Sequence, residues 1–297
     1  MKPLPASAWA LITACLWPAA LARGDDAHLT GLEHKGEVTT LRPANGYWSQ
    51  AEPRLFLSNR TELGIPYVKP SLSVGYGMPH WLWAGVDLNA FAMPDFVQGY
   101  LGVRAAMPVL DLAFGVRDTR SFSKAFPTPA TTLTRRDVLD APGPRARYLA
   151  WEAESVAIAP LPHAALVADF IAVRTLDVPA GRYVYDESSR VVVSHPLFFV
   201  LRMAAVARLL NEGALKLGAV GEYAFGTGRS QGVWRVGPVA ALQLTDHLEL
   251  KAMLTLNVAG PDQLGLVLGA YGVAGLCYRW ATGERRAALP WSEPIVP

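Results

Sequence analysis

The sequence has few cysteines, little net charge and no long apolar run, and each absence excludes a class of protein. Two cysteines in 297 residues, Cys15 and Cys277, exclude a disulfide-rich scaffold. The formal net charge of +2 is too small to favour nucleic acid as a partner. Beyond the N-terminus, no uncharged apolar stretch reaches the ~18 residues of a membrane-spanning helix. The nearest one, residues 196–210, contains Arg202 and Arg208.

The first 22 residues have the pattern of a secretory signal peptide. Lys2 supplies a positive charge, residues 8–16 are mainly apolar, and Ala20-Leu21-Ala22 fits a cleavage site. A lipoprotein signal is the alternative, because Ile12-Thr13-Ala14-Cys15 resembles a lipobox. Residues 23–50 show no clear period, and we interpret them as a periplasmic N-terminal lead-in.

From residue 51 onward, apolar and polar side chains alternate in segments of about ten residues. In residues 248–258, every even position is apolar and all odd positions but one are polar or charged. A period of two is that of a β-strand with one apolar and one polar face. The twelve predicted strands cover residues 53–60, 66–76, 81–92, 95–106, 109–119, 146–159, 163–176, 196–209, 213–225, 231–244, 247–258 and 263–280.

Connector lengths favour an antiparallel meander. If the N-terminus is periplasmic, connectors after even-numbered strands are periplasmic and short, and the others are longer and external. The two longest connectors, residues 120–145 and 177–195, both follow odd-numbered strands. The short connectors are residues 77–80, 107–108, 160–162, 211–212 and 245–246. We therefore predict an all-β fold, a transmembrane antiparallel up-and-down β-barrel of about twelve strands over residues 51–281, followed by a periplasmic tail, residues 282–297.

Alternation alone does not say which face points outward. In a soluble calyx such as a lipocalin, the apolar face lines the interior. Strands of about ten residues suit a tilted span of a bilayer. The polar faces are rich in glycine, serine and charged residues, which suits a water-filled lumen. Both observations favour the membrane barrel over the calyx.

The last predicted strand ends in Gly275-Leu276-Cys277-Tyr278-Arg279-Trp280. A glycine followed by aromatic residues three and five positions later, here Gly275, Tyr278 and Trp280, resembles the C-terminal assembly signal of bacterial outer-membrane proteins. The sequence departs from that pattern at Val273, where a polar residue is preferred, and in its C-terminal tail. The resemblance is to the outer-membrane β-barrel superfamily as a whole. It implies a location in the cell outer membrane of a Gram-negative bacterium and contact with the barrel-assembly machinery.

The polar faces of the predicted strands carry charges of both signs, which are candidates for lining a pore. The basic candidates are Lys69, Arg104, Arg117, Arg202, Arg208, Lys216, Arg235, Lys251 and Arg279. The acidic candidates are Asp87, Asp111, Glu152, Glu154, Asp169, Glu222 and Glu249. A water-filled lumen of this kind predicts a porin-like passive channel for small polar solutes, with anions favoured by the basic excess. Ion pairing across a closed lumen predicts instead a non-conducting structural or surface-interaction barrel.

A third hypothesis is an outer-membrane lipid-modifying hydrolase, since a fold alone does not determine activity. The connector 177–195 contains Ser194 and His195, but adjacent residues on a strand point to opposite faces, a poor geometry for a nucleophile and its base. We predict no catalytic residue, no metal site and no cofactor.

The connector 120–145 is rich in arginine and lysine. Such a basic outer rim could bind the phosphates of lipopolysaccharide, and a merely solvated loop explains the composition equally well. Outer-membrane lipids, lipopolysaccharide and a small polar solute are therefore the expected partners.

Overall fold

A computed structural model describes Trp48 and residues 51–210, 214–229 and 231–283 of the chain. In these residues twelve strands form a closed antiparallel barrel, and two further strands pair as a separate hairpin. The strands are β1 (Arg54–Gly64), β2 (Val68–Met78), β3 (Leu82–Met93), β4 (Phe96–Ala106), β5 (Leu110–Ala125), β6 (Arg145–Pro160), β7 (Ala164–Thr175), β8 (Tyr183–Asp186), β9 (Val191–Ser194), β10 (Leu197–Leu209), β11 (Leu215–Gly226), β12 (Val233–Gln243), β13 (Leu248–Ala259) and β14 (Tyr271–Ala281). The predicted signal peptide, nearly all of the lead-in and most of the tail lie outside the described residues.

Neighbours along the chain are neighbours in the barrel, except that β7 pairs with β10 across the hairpin β8–β9. The first and last strands close the barrel, with partners running from Ser58↔Ala281 to Gly64↔Gly275. The predicted antiparallel barrel of about twelve strands is therefore confirmed. We name the two ends of the barrel. The turn end is the one at which β1 begins and β14 ends, and the loop end is the one that carries the long connectors.

The apolar face of the strands points outward. On β3, Val86 and Leu88 are 48% and 50% exposed, whereas Asp87 between them is 2% exposed. The same alternation places exposed leucine, valine and aromatic side chains around the wall. An apolar band of this extent belongs against hydrocarbon rather than water. The arrangement is the reverse of a soluble calyx, and the barrel is built to span a membrane.

Two short helices lie in the long connectors, α1 (Arg135–Leu139) and α2 (Gly265–Gly269). Thr134 caps α1 through a capping box with Asp137. Among the described residues, no helix has the length and apolar character needed to cross a membrane. The predicted strand 263–280 was wrong in its first part, because residues 265–269 form α2 and the strand begins at Tyr271. In this segment Leu264 and Leu268 are four positions apart, so they share one side of a helical turn and pack inward.

Candidate functional site: the lumen and its hairpin

The hairpin β8–β9 of the connector between β7 and β10 occupies the lumen at the loop end. Its strands pair from Tyr183↔Ser194 to Asp186↔Val191, and Arg190 in its turn has a positive φ of 54°. We call residues 183–194 the inner hairpin. The sequence did not reveal it as paired strands.

The inner hairpin is packed on both faces. Val184, Val191 and Val193 contact the barrel wall in a cluster that includes Tyr148, Ala150, Val173, Phe198, Val200, Ala224 and Val233. On its other face, Tyr185 and Val192 pack under the helical connectors, against Leu133, Val138, Leu264 and Leu268. The Tyr185 hydroxyl donates to the carbonyl oxygen of Leu268 at 2.9 Å. Apolar contacts therefore hold the hairpin between the wall and the outer loops.

Asp186, at the start of the hairpin turn, is anchored to the wall of the lumen. Arg117 on β5 donates to its carboxylate at 2.5 Å, and the Tyr148 hydroxyl on β6 donates at 2.8 Å. Burial opposes ionisation of Asp186, but Arg117 and the hydrogen bonds of Ser188 and Tyr148 outweigh it and hold the pKa of the carboxyl below its usual value. Asp186 is therefore a charged anchor.

Glu187 forms the second anchor of the hairpin. Lys124 on β5 donates to both its carboxylate oxygens at 3.0 Å, and the Ser121 hydroxyl donates at 2.9 Å. Burial raises the pKa of Glu187 to about 7, although Lys124 acts in the opposite direction. The Glu187 carboxyl therefore changes its charge near neutral pH.

Arg235 on β12 forms the third anchor. Its guanidinium donates to the carbonyl oxygens of Ser189 and Arg190 at 2.6 and 2.5 Å, and to Glu222 at 2.6 Å. Arg235 is fully buried. It therefore fixes the hairpin turn from the far side of the lumen.

Below the hairpin, cations and carboxylates separate onto opposite halves of the lumen. The strands β3 to β7 carry mainly carboxylates, whereas β1, β2 and β10 to β14 carry mainly cations. The acidic half holds Asp87, Asp111, Glu152, Glu154 and Asp169 beside Arg104 and Arg117. The basic half holds Arg60, Lys69, Arg202, Arg208, Lys216, Arg235, Lys251 and Arg279 beside Glu62, Glu222 and Glu249.

Most of these charges pair within their own half. Arg104 contacts Asp87 at 3.1 Å, Asp111 at 3.0 Å and Glu154 at 3.4 Å. In the basic half, Glu249 contacts Arg279 at 2.6 Å and Lys251 at 3.6 Å. The local pairs leave the overall separation of charge across the lumen in place.

A cavity of about 420 Å³ lies between the two halves. It is lined by Arg279 on β14 and, across the lumen, by Glu154 on β6, and also by Lys69 and Asp87 on the neighbouring strands β2 and β3. Trp48 lines it at the turn end, where its indole N–H donates to the carbonyl oxygen of Asp246 at 3.2 Å. Its ring also lies edge-on to His80, with 4.5 Å between the ring centroids. A small polar solute in this cavity would meet charges of both signs.

All sixteen predicted pore-lining residues fall on the inward side of their strands, and the structure shows how they are partnered. Among the described residues, all of them except Lys69 and Arg208 take part in ion pairs. The sequence reasoning missed Arg60, Glu62, Lys124 and Trp48. Arg60 and Glu62 could have been found, because Arg60 is the last residue of the predicted strand and Glu62 continues its period of two. Trp48 lies in a stretch that has no period.

Ser194 and His195 bond to different partners. The Ser194 hydroxyl accepts from the Gly228 N–H at 2.8 Å, whereas His195 Nδ1 lies 3.0 Å from the Thr175 hydroxyl. In the described part of the chain, no group of three or more His, Cys, Asp and Glu residues is placed to hold a metal ion.

No protein-family model matches the chain. No curated protein matches it either. Among solved structures, the KdgM porin is 8% identical with a TM-score of 0.37, and the match covers 75% of this chain and 98% of that one. The β domain of the Bordetella autotransporter BrkA is 14% identical with a TM-score of 0.37, covering 77% and 99%. A loop-deletion mutant of OmpT, an outer-membrane protein of Vibrio cholerae, is 9% identical with a TM-score of 0.35, covering 77% and 99%. These similarities concern the barrel architecture.

Proposed function

We propose that this protein is an outer-membrane channel for small polar solutes, with its loop end facing outward and its mouth closed by the inner hairpin. The observation that carries the proposal is the cavity of about 420 Å³ beneath the hairpin, which touches both the basic and the acidic half of the lumen. A barrel that served only as a wall would not need charges of opposite sign arranged across a void. Such an arrangement orients and selects solutes.

The basic half offers the more accessible charge. Lys69 lines the cavity, is exposed and makes no ion pair within the described residues. Asp87, on the neighbouring strand β3, is 2% exposed and accepts hydrogen bonds from Arg104 and two serine hydroxyls. A solute therefore meets a free cation and a neutralised carboxylate, which favours anions.

The test is to lock the hairpin against the wall. Ser121 and Glu187 are hydrogen-bonded side chains, so the two thiols of a Ser121→Cys, Glu187→Cys variant in a Cys277→Ser background can be bridged by a short bifunctional methanethiosulfonate, which reductant removes. In planar bilayers we expect ion-conducting openings from the Cys277→Ser parent, none from the cross-linked variant, and their return when reductant is added. Because cross-linked and reduced states are compared in one molecule, loss of the Glu187 anchor affects both equally. Conduction that cross-linking leaves unchanged would refute the proposed gate.

The non-conducting barrel is the second candidate, and the two apolar clusters around the hairpin favour it. On that hypothesis the hairpin is a permanent plug and the outer surface carries the function. A closed, heat-modifiable barrel that shows no openings before or after addition of reductant would support this candidate and exclude the channel.

A further inference from the structure

The charged residues of the outward face are confined to one part of the barrel. Among the described strand residues whose side chains alternate outward, those with charge lie at the loop ends of β5, β6 and β7. They are Asp118, Arg120, Arg145, Arg147 and Arg174. The outward positions of the other strands are apolar, aromatic or small and uncharged. Four arginines and one aspartate leave this patch strongly positive.

The arginines are only partly neutralised by the protein. Arg120 and Arg147 are direct partners across β5 and β6, an arrangement that is unfavourable for like charges. The Asp118 carboxylate forms an ion pair with each of them, at 2.8 Å from Arg120 and 3.4 Å from Arg147. Arg174 is exposed, and its side chain has no hydrogen bond or ion pair within the described residues. One aspartate against four arginines therefore leaves the patch with an excess of positive charge.

An apolar surface begins directly below the patch. Trp151 pairs with Arg174 across β6 and β7, and its ring stacks on Phe114 with centroids 5.5 Å apart. Next along β6, Ala153 and Ser155 open a groove of about 770 Å³ on the outward wall, bounded by Phe114 and Phe170. Arg147 and Trp151 are four positions apart on β6, which is about 13 Å along the strand. Cationic, aromatic and small-residue zones thus follow one another toward the turn end.

We propose that the outward face of β5 to β7 is a binding site for the lipid A part of lipopolysaccharide. The arginines would bind its phosphates through charge-assisted hydrogen bonds, and the groove would take an acyl chain. Charge complementarity selects this occupant, because two phosphates on a glucosamine disaccharide with several acyl chains match several arginines above an apolar groove. The proposal uses the outer-membrane placement proposed above, but it does not require that the lumen conducts.

The test is to count bound lipid by native mass spectrometry of the purified barrel in detergent, with bisphosphorylated hexa-acyl lipid A as the probe. Arg147→Ser with Arg174→Ser removes two cations of the patch. Because the variant removes two charge-assisted contacts to the phosphates, we expect a loss of affinity of at least about tenfold. Arg135→Ser with Arg136→Ser is the matched control, since it removes two exposed cations from α1 and should retain binding.

A second variant tests the groove without changing the charge. Ala153→Trp should fill the space beside Phe114 and weaken lipid A binding while leaving the arginines in place. Folding of each variant is checked by the faster migration of the unheated barrel on a denaturing gel. If both double variants bind lipid A equally, or if Ala153→Trp binds as the wild type does, the proposal is overturned.

Phosphatidylglycerol distinguishes a specific site from a generally anionic surface. It carries one phosphate and two acyl chains, and we expect it to bind at least about tenfold more weakly than lipid A. Equal binding of both lipids would mean that any anionic lipid suffices, and the proposal would fail. A dimer that lipid A does not dissociate would show that this face is an interface between two copies, which would also overturn it.

Discussion

Arg235 shows that a residue on the inward face of a strand can be a structural anchor rather than a pore-lining group. Arg235→Ala would leave two hairpin carbonyls without their donor and Glu222 with Arg202 as its remaining ion-pair partner. Breaking a buried pair costs about 3–5 kcal/mol, and the second partner places this case near the lower value. Unfolding by urea in detergent measures this loss of stability, with disappearance of the fast-migrating band on an unheated gel as the readout. Arg208→Ala is the control, because Arg208 is exposed and makes no ion pair within the described residues; equal midpoints would contradict the anchor role.

Lys69 is the matching case of a cation that faces the cavity. At about 10 Å in water a unit charge contributes about 0.4 kcal/mol, with opposite sign for anions and cations, so the two-unit change in Lys69→Glu should shift the anion-to-cation permeability ratio about fifteenfold toward cations. The reversal potential in a salt gradient measures this ratio. Lys69→Arg keeps the charge and should keep the ratio. An unchanged reversal potential in Lys69→Glu would place the conducting path away from this side chain.

At the scale of the element, the inner hairpin should respond to pH through Glu187. Its pKa is raised to about 7 when the hairpin is seated and returns toward 4.5 when the carboxyl is hydrated. The seated hairpin thus binds the proton more tightly, and seating weakens as pH rises from about 4.5 to about 7. Lys124 and Asp95 face this anchor, and Tyr185 lies under the Lys124 ammonium group.

We therefore expect openings in planar bilayers to be rarer at pH 5 than at pH 8. Glu187→Gln stays neutral and should remain mostly closed at both values, whereas Ser188→Ala, in the same turn, should keep the wild-type response. If Glu187→Gln keeps the pH response, that response arises from another titratable group.

The barrel strands could be predicted from the sequence because one face of each strand meets hydrocarbon and the other meets a polar lumen. The inner hairpin could not, because both of its faces are covered. Val191, Val192 and Val193 are all buried, so they show no alternation. The helix α2 was taken for strand because its apolar run gives no period at a length of five residues. Lumen charges followed from the period, but their ion pairs depend on the register between strands, which a single sequence does not contain.

At the scale of the whole molecule, closure depends on the seam between β1 and β14. The Gly64↔Gly275 pair forms the loop end of this seam. The ring of Tyr67 covers Gly64, and a Cβ on Gly64 would lie 2.1 Å from Tyr67 Cε1. A Cβ on Gly275 would lie 2.4 Å from the carbonyl oxygen of Leu63. A side chain at either glycine would therefore clash with the backbone of the partner strand. Gly275, predicted as part of an assembly signal, thus has a steric role of its own.

Gly275→Val should therefore impair closure whether or not the assembly machinery is present. Overpacking of this kind costs about 1–3 kcal/mol, and here it acts on the strand pair that closes the barrel. Refolding into pure lipid vesicles, scored by the fast-migrating unheated band, should show a reduced folded fraction for Gly275→Val. Ala274→Val is the control, because its side chain alternates outward toward lipid. Trp280→Ala leaves the glycine seam unchanged, so it should refold normally in vesicles and lose assembly in cells if Trp280 acts as a recognition residue. Normal refolding of Gly275→Val in vesicles would show instead that this glycine also acts through the machinery.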